Sequence, residues 1–130
     1  MSDIGLLSRR LNLSIDDYID EKESLKTSKG AITENYVMNE LIRLDKKPYY
    51  WKSGNTAEID FIFEDSGSIV PLEVKAATNT QAKSYKQFCR KYNPKSGFKL
   101  SLKNIAENIL FETNTVSLPL YLLWNLEMYK

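Results

Sequence analysis

The chain has 130 residues, 42% hydrophobic and 27% charged, enough for one globular domain with a single core. It has no histidine and a lone cysteine, Cys89, which excludes Ser-His-Asp and Cys-His nucleophiles, an imidazole base, H-E-x-x-H sites and structural zinc. The net charge of +1 hides an asymmetry: Lys75 to Lys103 holds eight cations and no acid, leaving ten cations against seventeen acids elsewhere, a distribution that suggests a polyanion facing one side of the domain.

Chemistry in such a chain runs on carboxylates, Lys, Tyr and hard metals. No G-x-x-x-x-G-K-[ST] phosphate loop is present. No cationic-then-apolar leader opens the sequence, and the longest uncharged apolar run, Leu118 to Leu126, is too short to span a bilayer. The single cysteine fits a reducing compartment. The expectation is a cytoplasmic protein with no membrane partner.

Residues 1–30 read as a helical, polar lead-in. "DIGLLSRRL" suits a short helix, "SIDDYIDE" from Ser14 pairs an N-cap residue with first-turn acids, and Glu21 to Gly30 reads as a polar connector. The main domain is placed at 31–130. It opens with a helix over 31–44 whose apolar stripe is Val37, Met38, Leu41 and Leu44. Glu34 lies within that stripe, where an acid is costly unless paired or bound to a cation, although the helix start also favours acids.

"KPYYW", Lys47 to Trp51, reads as an aromatic strand. "EIDFIFEDSGSIVPLEVK", Glu58 to Lys75, reads as two more strands joined by a turn. Glu58, Asp60 and Ile62 share one face of the first, and Glu73 and Lys75 share a face of the second. Pro71 cannot donate to a ladder and is expected at an edge or an irregular position. A helix over 80–92 carries Gln81, Tyr85, Phe88 and Tyr92 on one face and a basic stripe of Lys83, Lys86 and Arg90 on another. "GFKLSL" reads as a strand, and "SLPLYLLWNL" as an apolar segment whose type its proline leaves open. Helix, three strands, helix, strand is an α/β order with a mixed sheet.

A four-residue loop over 65–68 would pair Glu64 with Ile69. It would set Asp60 opposite Glu73, and Glu58 opposite Lys75. Cross-strand Cβ atoms lie ~4.5–5.5 Å apart, where like charges are destabilising, so two carboxylates there need a shared proton, a cation or water. Mg²⁺ or Mn²⁺ would supply the cation, held by one or two carboxylates with the remaining positions open to substrate oxygens. Lys75 could then orient or deprotonate an attacking water and offset charge on a phosphoryl oxygen. A solvated polar sheet face is the competing reading of the same residues.

Glu34 on a helix, Asp60 on a strand, "Glu73-Val-Lys75" on its partner and a following helix resemble the PD-(D/E)XK nuclease superfamily. "Gln81-Ala-Lys-Ser-Tyr85" resembles the Q-x-x-x-Y element of its RecB-like members. Nearly the whole chain resembles a domain of unknown function found C-terminal to many bacterial and archaeal AAA+ ATPases. The stretches that carry this are "SDIGLLSR", "KGAITENYVMNEL", "YYWKSGNTAEIDFI", "IVPLEVKAATNTQAKSYKQF" and "VSLPLYLL".

The resemblance implies a restriction-endonuclease-like core, with the lead-in as the tail of a preceding segment, and divalent-metal phosphodiester hydrolysis. Asp60 and Glu73 would be metal ligands, Glu34 a further ligand or water contact, Lys75 the catalytic lysine, and Gln81 and Glu58 supporting contacts. The Lys83, Lys86 and Arg90 stripe would meet a nucleic-acid backbone, DNA above all. The alternative is a non-cleaving module that binds DNA or protein and serves an AAA+ ATPase, because fold does not guarantee activity.

Overall fold

The hairpin singled out above lies at the heart of the architecture. In the computed structural model, which describes residues 3–12, 14, 26–54, 56–75 and 82–129, strand β2 (Ala57–Asp65) runs antiparallel to β3 (Ser68–Val74). Ser66 and Gly67 take φ of 50° and 77°, the two positive values of a type I′ turn, whose twist matches that of the strands it joins. Asp65 pairs with Ser68, so the turn is shorter than the expected loop. The register is nonetheless the expected one, with Phe61 facing Leu72 and Glu64 facing Ile69.

Strand β1 (Tyr49–Ser53) flanks β2 antiparallel and forms one edge of the sheet. Helix α3 (Lys83–Tyr92) carries the chain over to β4 (Ser96–Ser101), parallel to β3. Two more strands extend the other side: β6 (Thr113–Pro119), parallel to β4, and β5 (Ala106–Leu110), antiparallel at the far edge. The order β1-β2-β3-β4-β6-β5 makes one mixed six-stranded sheet in an α/β protein. The predicted order stopped at β4. The ambiguous apolar segment divides at its proline: Pro119 ends β6, and Leu120–Tyr129 forms a 3-10 helix kinked at Asn125.

One sheet face packs against helix α2 (Lys26–Arg43) and the C-terminal 3-10 helix. Val37 and Leu41 of α2 and Leu123 and Leu126 of the 3-10 helix bury themselves on Phe63, Val70, Leu72, Val74, Phe98, Leu100, Val116 and Leu118. Helix α1 (Ile4–Arg10) lies against α2, its start fixed by the Leu6 amide donating to Asp3 Oδ1 at 2.7 Å. Residues 26–30, expected as connector, are the first turn and more of α2. The expected helix following Ser14 lies outside the described residues. On the opposite face sits α3, with Ala82, Tyr85, Phe88 and Cys89 buried.

Pro71 corrects a simple rule. It lies in β3, a central strand, not at an edge. The Lys75 amide donates to Leu100 on β4, and amides alternate along a strand, so the Pro71 nitrogen also faces β4. The β3–β4 pairing begins one residue later, at Leu72–Phe98. The proline thus sits where no ladder amide is required.

Candidate metal centre

The β2–β3 ladder stops at the Phe61–Leu72 pair, one step before Asp60 would pair with Glu73. By the same alternation, the Val74 amide faces β2. It donates to a side chain in place of a β2 carbonyl: Asp60 Oδ2 accepts it at 2.7 Å. The carboxylate thereby ends the ladder and is held by it. Burial, the largest influence, raises the Asp60 carboxyl above its ordinary range. The Val74 amide and Lys75 pull it down, Glu58 pushes it up, and the balance is upward.

Glu73 is the most buried acid of the group, 3% exposed. Its Oε1 meets the Lys75 ammonium at 2.6 Å, while its buried Oε2 has no hydrogen-bond partner among the described residues. An orphaned buried carboxylate oxygen is expensive. Burial raises the Glu73 carboxyl most, its bond to Lys75 opposes this, and the Asp60 charge raises it further. Half-buried Lys75 feels burial as a downward pull. Its bond to Glu73 and the charges of Glu73, Asp60 and Glu34 outweigh that pull and raise it. In these surroundings Lys75 is a donor and a fixed positive charge.

Glu34 comes to the group from α2, its side chain exposed. Its position at the N-terminal end of the apolar stripe lets it reach past the core. Partial burial of its carboxyl and the charges of Asp60 and Glu58 raise it, with Lys75 opposing. Glu34, Glu58 and Asp60, with Tyr50 and Ile59, line a cavity of about 210 Å³. Glu58 also borders a second cavity of about 270 Å³, with Lys52, Thr56, Ala57 and Ser84. Lys52 is the strand partner of Glu58 on β1. The structure therefore gathers Glu34, Glu58, Asp60, Glu73 and Lys75 into one neighbourhood.

Among the described residues no three acids or cysteines converge closely enough to hold a metal by themselves. The donor set nonetheless fits a hard divalent ion. Glu73 Oε2 lacks a partner, the Val74 bond engages only one Asp60 oxygen, and all donors are oxygens. Mg²⁺ is commonly held by one or two carboxylates, with substrate oxygens completing its shell.

Lys83, Lys86 and Arg90 are exposed along α3, at the i, i+3 and i+7 positions of one face. The Arg90 guanidinium lies 5.0 Å from the centre of the Phe111 ring. Gln81 lies outside the described residues. Cys89 is fully buried and burial raises its thiol, so the one soft nucleophile of the chain is sequestered.

Two residues beside the site went unnoticed in the sequence as candidates. Lys99 pairs with Glu73 across the β3–β4 register and rests its ammonium 5.1 Å from the Tyr85 ring centre. Burial lowers it, as does Lys86, with Cys89 and Glu73 opposing. Its signal was only membership of the basic block, because a crossover register cannot be counted from a turn. The other is Tyr50, exposed on β1 yet lining the carboxylate cavity. Tyr85 is the reverse case. It is fully buried, its hydroxyl 3.2 Å from Thr115 Oγ1, and a Cβ on Gly97 would lie 2.1 Å from that hydroxyl. Tyr85 therefore docks α3 onto the sheet.

No curated protein and no solved structure matches the chain. A family model does, the domain of unknown function DUF4143, over residues 29–123. That stretch spans most of α2, the whole sheet, α3 and the start of the 3-10 helix. With well over half the chain matched, the protein belongs to the DUF4143 family.

Proposed function

We propose that the protein is a divalent-metal-dependent phosphodiesterase domain of the PD-(D/E)XK nuclease type, acting on DNA. One observation carries the reading: Glu73 is buried with one oxygen on Lys75 and the other unsatisfied among the described residues, beside the second carboxylate of Asp60. A structural ion pair would satisfy both oxygens. A polar sheet face would leave them to water.

Asp60 and Glu73 would hold Mg²⁺ or Mn²⁺, with Glu34 as a further contact and Glu58 supporting it. Bound there, the ion supplies Lewis acidity toward a phosphoryl oxygen. Lys75 contributes a fixed ammonium that stabilises negative charge developing on the phosphate and orients the attacking water by donating to it. The Val74 amide keeps Asp60 from rotating away. Lys83, Lys86 and Arg90 meet backbone phosphates. The lone buried cysteine suits a reducing cytoplasm, and no helix among the described residues is long and apolar enough to cross a membrane.

A second reading is favoured by a specific observation: Asp60 and Glu73 each already commit one oxygen to the protein, to the Val74 amide and to Lys75. In it the domain binds DNA or protein without cleaving, as an accessory to an AAA+ ATPase. The test is nicking of supercoiled plasmid and degradation of a labelled single strand, in Mg²⁺, in Mn²⁺ and in chelator, with Lys75→Ala as control. Cleavage by the wild type in metal alone, lost in Lys75→Ala, is expected. Binding with no cleavage in either metal would establish the second reading.

A further inference from the structure

The run "KKPYYWK", Lys46 to Lys52, sets three consecutive aromatic residues between cations and has no part in the chemistry above. Strand β1 places it at the sheet edge, antiparallel to the strand that carries Glu58 and Asp60. Its aromatic residues divide by function. Trp51 faces inward, edge-on to Phe88 and Tyr92 with ring centres 5.1 and 5.9 Å apart, and so anchors the strand on α3. Tyr49 and Tyr50 face solvent, 52% and 72% exposed. The Lys47 ammonium lies 5.5 Å from the centre of the Tyr49 ring.

Exposed tyrosines are common, so exposure alone would mean little. Position distinguishes Tyr50. It forms part of the wall of the cavity whose other walls are Glu34, Glu58, Ile59 and Asp60. Glu58 is shared with the adjoining cavity that Lys52 lines. An aromatic ring thus stands on one side of the carboxylates and an ammonium on the other, along one edge.

We propose that the β1 edge is a single-strand platform, on which Tyr50 stacks with a base of the strand that runs past the carboxylates. This rests on the nucleic-acid reading of the same site and adds its substrate class, single-stranded DNA. A base can stack on a protein ring only when it is not already stacked within a duplex, and every base offers such a face. Stacking also supplies affinity where charge does not, because the acids of the cavity repel a polyanion. Lys47 and Lys52 offset that repulsion at the flanks.

The experiment measures fluorescence anisotropy of labelled oligothymidylate, and of a duplex of equal length, in chelator so that no cleavage occurs. The wild type is expected to bind the single strand more tightly than the duplex. Tyr50→Ala should weaken single-strand binding roughly 5- to 150-fold, the loss of one base–aromatic stack, leave duplex binding unchanged and leave the salt slope intact. Tyr50→Phe should retain wild-type binding, because stacking needs the ring and not the hydroxyl. Preference for duplex, equal losses on both polymers, failure of Tyr50→Phe, or binding of neither polymer would each overturn the platform. Because the assay needs no metal, an inactive enzyme leaves it standing. Cleavage by a protein whose binding ignores Tyr50 removes the platform alone.

Discussion

Replacing Asp60 by Asn and by Ala separates the two duties of this side chain. It accepts the Val74 amide at 2.7 Å, and it carries a charge that its surroundings disfavour on balance. Asn keeps an oxygen for the amide and removes the charge. What is lost is the difference between a charge-assisted bond, ~1.5–3 kcal/mol, and a neutral one, ~0.5–1.5 kcal/mol. What is gained is relief from burial and from neighbouring acids. The raised carboxyl says that the gain exceeds the loss, since the folded protein prefers this group neutral. Opposed like charges on paired strands are worth ~0.2–1 kcal/mol, which for a domain of this size raises Tm by about 1–5 °C.

Ala removes the acceptor as well. It leaves the Val74 amide without a partner, at a cost of ~1–3 kcal/mol. In chelator the expected order of melting temperatures is therefore Asn above wild type above Ala. In Mn²⁺ at a hundredfold excess over Kd the wild type should gain ~2.7 kcal/mol, because the ion binds the folded state alone. The Asn variant should gain far less. Thermal unfolding of the three proteins, with chelator and with Mn²⁺, reads all of this. If Asn melted below the wild type in chelator, and the wild type ignored Mn²⁺, Asp60 would be a structural acceptor and nothing more.

The raised carboxyls of Glu34, Asp60 and Glu73 mean that the folded state binds protons more tightly than the unfolded one. Their contribution is fully present below the ordinary carboxylate range and is lost as pH rises through the raised values. In denaturant titrations with chelator, Glu73→Gln should accordingly gain on the wild type as pH climbs toward neutrality and match it in acid; a pH-independent difference would contradict the shift. Gly97→Ala forces a Cβ toward the buried Tyr85 hydroxyl and to 3.0 Å from Pro71 Cγ, and should cost ~1–3 kcal/mol. The cost should shrink in a Tyr85→Phe background, and strict additivity would show that the contact is relieved elsewhere. Replacing Lys83, Lys86 and Arg90 together should weaken DNA binding for all sequences and flatten its salt dependence. Unchanged binding would return the stripe to ordinary solvated surface.

Much of the fold was written locally. The β2–β3 register followed from the turn residues and the period of two, and it survived a shorter turn because Asp65–Ser68 belongs to the same register. Strand β6 was hidden because Thr113 and Thr115 are buried polar residues beneath α3, so no apolar alternation marked its inner face. Strand β5 is exposed along nearly its whole length, and an edge of that kind carries little hydrophobic signal. Lys99 escaped because its pairing with Glu73 depends on a parallel crossover, whose register is set by tertiary packing. Glu34 was expected within a buried stripe and lies exposed at its end, facing Asp60 and Glu58. Pattern alone gave the helix face but not where the sheet beneath it stops.

The decisive measurement is a Mn²⁺ titration followed by electron paramagnetic resonance of the free ion, on the wild type and on Glu73→Gln. If the unsatisfied Glu73 oxygen and Asp60 form a divalent-cation centre, the wild type binds one Mn²⁺ that Mg²⁺ displaces, and affinity rises with pH as protons leave the raised carboxyls. Glu73→Gln, its fold checked by circular dichroism, should lose that binding. Equal binding by the two proteins, or none by either in the presence of DNA, would contradict the metal centre and leave a fold without this chemistry.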